Sequence, residues 1–287
     1  MAVTTTSFSI VDRCTLIYNA LVLGFILLFH SRIPSWPLLT VSNFVVIAYI
    51  LLVVYGVGDH PSTVARLVRH LYPTVFFAIM YGQTEYLNRL VFPEFLDPLF
   101  QRMEAGVFGL QPAQVLAQWF PQKWLAEYMH FAYFSYYPLF IGLGAFLLLR
   151  RGRRPFFDFM FSMCATMYTC YVIYIFLPVL GGRSFNMGDA PGNGPFTAVM
   201  GLIYHCLEVE GAAFPSSHVA IATVVLYYTF RYARPAAWVL TFLIISLMVS
   251  TVYCRYHYAI DVLAGLATAA LLIPLWRRIN PVLKEAP

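Results

Sequence analysis

Charge is what this sequence has least of. Asp, Glu, Lys and Arg make up only 11% of its 287 residues, where a water-soluble domain would carry about 25%. Such a chain is poorly suited to water as its sole solvent. Cysteine is also scarce, with five residues and no CxxC spacing, which excludes a disulfide scaffold and a zinc ribbon. Cys14, Cys164 and Cys170 lie in apolar runs. Cys206 and Cys254 lie in connecting segments, where a disulfide between them is allowed but not required. The first apolar run is followed by His30, Ser31 and Arg32 and lacks a small-x-small cleavage site, so it reads as a retained helix. There is no Asn-x-Ser/Thr acceptor, no internal repeat and no low-complexity tail. The net charge of +5 comes from short basic tracts between apolar runs and not from a basic domain, which argues against a nucleic-acid partner.

What the chain does have is apolar length. A membrane-crossing helix needs about 20 mostly apolar residues. Eight segments approach this, at roughly 14–30, 38–57, 72–92, 124–149, 156–178, 216–231, 236–253 and 257–276. The expected fold is therefore all-α, a polytopic transmembrane bundle of about eight spans. The third span is the most polar, through Gln83, Glu85, Asn88 and Arg89. The sixth is short and begins at Phe214-Pro215-Ser216-Ser217, with a proline and capping hydroxyls suited to a helix start. With both termini inside, twelve of the 18 Lys and Arg residues fall in inside segments, led by Arg150, Arg151, Arg153 and Arg154 and ending at Lys284. That bias sets the orientation. Trp36, Trp119, Trp124, Trp238 and Trp276 mark span ends, as indoles do at the headgroup level.

Two long segments interrupt the spans, and both fall on the outer side. Residues 93–123, with Glu94, Asp97, Arg102 and Glu104, mix polar and apolar positions as an interfacial helix does. Residues 179–215 include Gly181, Gly182, Gly188, Gly192 and Gly194, and read as a long mobile loop suited to a lid. The chain divides into an N-terminal membrane unit, 1–123, and a C-terminal catalytic bundle, 124–287.

The chemistry-bearing residues gather at one surface. His257 and Asp261 are four apart, a spacing that shares a face on a helix. The carboxylate can hold one imidazole nitrogen and leave the other as a directed base or nucleophile. An ionisable residue such as Asp261 at the mouth of an apolar run is costly and usually functional. His218 starts the sixth span on the same side, placed to serve as general acid. The Ser216-Ser217-His218 helix start offers backbone N–H groups to an anion, and Arg183 and Arg255 offer guanidinium forks. Together they suit phosphoryl transfer, where positioning and charge neutralisation dominate.

These motifs resemble the type 2 phosphatidic acid phosphatase superfamily over roughly 175–275. Phe214-Pro215-Ser216-Ser217-His218 is similar to its Pro-Ser-Gly-His motif, and His257-x-x-x-Asp261 to the end of its third motif. The resemblance implies that His257 carries a phosphohistidine, Asp261 orients it, His218 protonates the leaving group, and Ser216 with nearby backbone holds phosphate oxygens, without metal or cofactor. Arg183 maps onto the Arg of the first motif, which has no Lys equivalent here. Thr251 stands where the third motif has an Arg, with Arg255 as a substitute. The His257-Tyr258-x-x-Asp261 form and the extra N-terminal helices are similar to inositol phosphorylceramide and sphingomyelin synthases, which implies a membrane lipid substrate and a lipid alcohol acceptor. Two other readings stay open: a metal-dependent hydrolase using His218, His257 and Asp261 as ligands, and a non-catalytic lipid-binding or transport protein. His205, His130, Glu127 and the loop acids Asp189, Glu208 and Glu210 are secondary candidates for substrate contact.

Overall fold

The computed structural model describes residues 8–58, 60–187 and 192–280. Gly188, Asp189 and Lys284, invoked above, lie outside the described residues. The architecture is all-α: α1 (Ile10–Leu28), α2 (Trp36–Leu52), α3 (Thr63–Leu87), α4 (Asp97–Phe108), α5 (Pro112–Trp119), α6 (Lys123–Phe134), α7 (Tyr136–Phe146), α8 (Arg153–Phe176), α9 (Pro195–Leu207), α10 (Ser217–Tyr232), α11 (Arg234–Tyr253) and α12 (Ala259–Ile279). α8 is the central post, buried along most of its length and packed by α1, α3, α10 and α12.

Among the described residues, six helical stretches are long and apolar enough to cross a membrane: Ile10–Leu28, Trp36–Val57, Lys123–Arg151, Arg153–Phe176, Arg234–Tyr253 and Ala259–Ile279. The two that fall short of the expected eight do so for different reasons. α3 has 25 residues but carries Arg66, Arg69, His70, Gln83 and Glu85. Arg69 is buried by a bidentate pairing with Asp12 of α1 at 2.6 and 3.0 Å, so its charge is neutralised inside the bundle. α10 has only 16 residues, and its apolar side chains face protein. The expected fourth span is two helices that break at Ser135. Pro138 has no N–H for the carbonyl of Phe134, so the hydrogen-bond ladder cannot run through.

The connecting segments are more ordered than their composition suggests. Residues 93–123 form α4 and α5. The expected mobile loop 179–215 holds a tight turn at Gly181–Phe185 and the helix α9. The base of that loop is closed by a parallel bridge between Val179 and Ala212. The Glu127 carboxylate accepts the N–H groups of Gly194 and Phe196 at 2.8 and 3.0 Å, which fixes the start of α9. All five cysteines are free thiols, with Cys206 exposed and Cys254 buried, so the allowed disulfide is not formed.

The end of the bundle opposite the histidines gathers basic groups. Asp158 of α8 accepts the hydroxyls of Tyr228 and Tyr232 at 2.9 and 2.7 Å. Arg231 and Arg277 stand 3.7 and 3.9 Å from the same carboxylate. This network clamps the far ends of α8, α10 and α12 and leaves their other ends to form the site.

Candidate active site

α10 and α12 begin at the same end of the bundle because their first turns touch. The N–H of Ser216 donates to the carbonyl of Asp261 at 3.0 Å. Gly265, one turn into α12, allows this approach, since a Cβ there would lie 2.5 Å from the carbonyl oxygen of Ser216. The contact brings His218 and His257 together, with ring centroids 5.8 Å apart and planes tilted by 61°.

His257 does not share a helical face with Asp261, as their spacing suggested. α12 starts at Ala259, and His257 sits in the turn after α11. The carbonyl of Thr251 accepts the N–H groups of both Tyr256 and His257, at 2.9 and 3.0 Å, and this folds the turn. Asp261 lies in the first turn of α12, accepting the Tyr258 N–H at 2.8 Å. Its Oδ2 stands 3.4 Å from Nδ1 of His257. With Nδ1 directed at the carboxylate, Nε2 is the nitrogen left for the pocket.

His218 lies on the wall of stacked aromatics. The Tyr133 hydroxyl is 3.0 Å from its Nε2 and 3.4 Å from its Nδ1, so it faces the ring edge between the two nitrogens. Tyr133 also bonds Tyr204 at 2.9 Å, and Tyr204 stacks on Tyr256 at 4.1 Å.

Arg183 completes the pocket. Its guanidinium lies 4.3 Å over the Tyr204 ring and 5.2 Å from the Tyr256 ring, and its Nε is 3.3 Å from Glu208. The turn that carries it presses on the catalytic turn. A Cβ on Gly181, which has φ +79°, would lie 2.7 Å from the Tyr256 carbonyl, and one on Gly182 would lie 2.8 Å from that of Arg255. Arg183, His218 and His257 together line one polar pocket.

Other expected phosphate contacts are placed differently. Ser216 is fully buried as the cap of α10, its hydroxyl accepting from Val219 at 3.4 Å. The Ser217 N–H is taken by the Tyr174 hydroxyl at 3.2 Å. The N–H groups of Ser217 and Val219 are thus engaged, where free ones were expected. Arg255 does not line the pocket. It has a left-handed backbone, φ 63°, and donates to the Met187 carbonyl at 2.9 Å, so it sits behind the 181–187 turn. His205 is exposed away from the pocket, and the ring of His130 is tied to the carbonyl of Ala126 at 2.8 Å.

One group was missed. Asp97, Gln101 and Glu104 form a stripe on α4, spaced by four and then three residues. Asp97 accepts the N–H groups of Leu180 and Gly181 at 2.9 and 3.1 Å and the Tyr258 hydroxyl at 2.8 Å. Gln101 donates to Ser184 and Tyr258, both at 3.1 Å. Glu104 accepts the Ala259 N–H at 2.5 Å. The stripe thus holds the Arg183 turn and the His257 turn to one helix. Burial, with the nearby Asp261 adding to it, pushes Glu104 up to about 7, although the Ala259 N–H opposes the shift. The signal in the sequence was three polar residues spaced to share one face of a helix. Tyr133 had no signal, as one of 20 tyrosines.

Among the described residues, no three His, Cys, Asp or Glu side chains converge as metal ligands. Asp261 stands behind His257 and does not line the pocket, so the three groups considered as a metal site do not point at one centre. A family model described as the PAP2 superfamily matches residues 100–275. It begins well ahead of the motif-bearing stretch, inside α4, and leaves α1 to α3 outside. No curated protein and no solved structure matches the chain.

Proposed function

The chain belongs to the PAP2 superfamily, and from that premise we propose that it transfers a phosphoryl group from a membrane lipid through His257. The carrying observation is the pairing of His257 with Asp261 on one side and His218 on the other, in a pocket also lined by Arg183. Nε2 of His257 attacks phosphorus in line with the leaving oxygen. Asp261 fixes the tautomer and supports the charge that develops on the ring. His218 donates a proton to the leaving oxygen, a role worth about 10²–10⁴ in rate. Arg183 neutralises the non-bridging oxygens. Its contacts with two aromatic faces and with Glu208 hold the guanidinium in place before substrate arrives. The second step reverses the roles: His218 takes a proton from water or an alcohol, which attacks the phosphohistidine. No step requires a metal. The site sits at the outer membrane surface by the distribution of Lys and Arg.

One observation favours transfer to an alcohol, as in inositol phosphorylceramide synthases, over transfer to water. Glu208 places a carboxylate at the rim of the phosphate pocket, where it can accept hydrogen bonds from hydroxyls of a headgroup or acceptor.

The test is phosphate release by the purified protein from a panel of lipid phosphates in chelator, with His257→Ala beside it. Release by the wild type alone supports the proposal, and equal release by both overturns it. Release by neither directs the assay to headgroup transfer between a phospholipid and a lipid alcohol, where the same comparison applies.

A further inference from the structure

A second cavity, of about 200 Å³, adjoins the polar pocket. Its wall is mostly apolar or aromatic, with Phe77, Tyr137, Phe140, Met167 and Leu207 among the lining residues. The two spaces share Tyr81, Tyr133, Tyr204, Glu208 and His218 in their walls, so a polar and an apolar compartment meet at these side chains. The apolar compartment reaches His218 but not His257, while the polar pocket touches both. Its far wall is α3, through Thr74, Phe77, Ala78 and Tyr81. α3 lies outside the 100–275 family match.

We propose that this chamber holds the hydrocarbon of the lipid alcohol whose P–O bond is broken, and that α3 selects its length. The inference rests on the phosphoryl-transfer reading above and adds the orientation of the substrate. A hydrocarbon in a chamber that opens at His218 places its oxygen at the acid, and phosphorus between that oxygen and His257. The N–P bond forms as the P–O bond to the lipid breaks. The electron pair leaves on the lipid oxygen, and the His218 proton joins it. Water or an alcohol then forms the new P–O bond, the P–N pair returns to His257, and the released proton restores His218. Burial of the chain supplies binding energy that grows with its length, which the charged pocket cannot supply for a long lipid. Chain selection by α3 makes the N-terminal unit part of the enzyme's specificity.

Ala78 is exposed at the chamber wall, so Ala78→Trp narrows the chamber without displacing packed side chains. Val75→Trp, on an outward-facing position of the same helix 68% exposed, is the control. The first measurement is the ratio of kcat/KM for hexadecyl phosphate to that for butyl phosphate. It should fall by about tenfold or more in Ala78→Trp and stay at the wild-type value in Val75→Trp. An unchanged ratio in Ala78→Trp overturns the proposal. The second measurement is photolabelling by a hexadecyl phosphonate with a terminal diazirine, which needs no turnover. Label on α3, α7, α8 or α9 that hexadecyl phosphate competes away and Ala78→Trp reduces supports the chamber. Label elsewhere, or label indifferent to Ala78→Trp, overturns it. Chamber labelling without phosphate release or headgroup transfer from any donor would leave the chamber standing and sink the catalytic reading. Normal catalysis with label elsewhere would do the reverse.

Discussion

The N–H of Ser216 donates to the carbonyl of Asp261 at 3.0 Å, so the two sequence motifs are joined through their backbones before any side chain acts. Gly265 makes this approach sterically allowed. Gly265→Ala should push the first turns of α10 and α12 apart and lengthen the gap between the histidines. A shift of about 1 Å can cost roughly 100-fold in rate. The expected outcome is a loss of that order in kcat with helix content retained by circular dichroism. Full activity in a folded Gly265→Ala protein would contradict this account of how the site is assembled.

His218 and Tyr133 should show the same kinetic signature. If His218 is the leaving-group acid, His218→Gln slows substrates with poor leaving groups most, by about 10²–10⁴, and slows aryl phosphates least. Tyr133→Phe removes only the hydroxyl that faces the His218 ring. Its smaller loss should also grow with leaving-group pKa. A Tyr133→Phe loss equal for all leaving groups would make the hydroxyl a packing element only.

Asp97 holds the Arg183 turn and Tyr258 at once, through three accepted hydrogen bonds. Asp97→Asn retains the shape but makes one oxygen a donor facing donors. An unmet buried pairing costs about 1–3 kcal/mol. The expected result is a lower Tm and a fall in kcat larger than the change in KM, since the groups held in place include those that act in the transition state. Asp97→Asn with wild-type kcat and Tm would remove α4 from the catalytic unit.

Glu104 predicts a pH dependence of stability. Its value rises from 4.5 to about 7 in the fold, so the folded protein holds this proton more tightly than the unfolded chain. The contribution to stability is complete below about pH 4.5 and is lost as pH rises through 7. Thermal unfolding in detergent should therefore show Tm falling from pH 5 to 7.5. Glu104→Gln, which keeps an oxygen for the Ala259 N–H but cannot ionise, should flatten that slope. An identical slope in the variant would assign the effect to other groups.

Several features could be read along the chain because their causes are local. Apolar runs placed most of the membrane helices, and Pro215 with Ser216 marked the start of α10. His218, His257, Asp261 and Arg183 were identifiable as a set, and the structure gathers them. The errors also have local reasons. The His257-Asp261 spacing suggested one helical face, but the pairing of the Thr251 carbonyl with two successive N–H groups keeps His257 in a turn. Ser216 and Arg255 suited phosphate by residue type, yet each is engaged with backbone elsewhere. Glycine in 179–215 suggested mobility. Gly181 and Gly182 instead permit close contact with the turn that carries His257.

The sequence by itself determined that the chain is a bundle of apolar helices, where many of them end, and which ionisable residues sit at those ends. Hydrophobic length and helix capping act over a few neighbouring residues, so composition and order suffice for that. Only the tertiary structure decided which of those residues meet. Tyr258 reaches Asp97 across 161 positions, and α3 closes the chamber beside His218 from outside the family core. Such contacts depend on how helices pack and on where a missing Cβ lets two backbones touch, and neither is written in any short stretch of the chain.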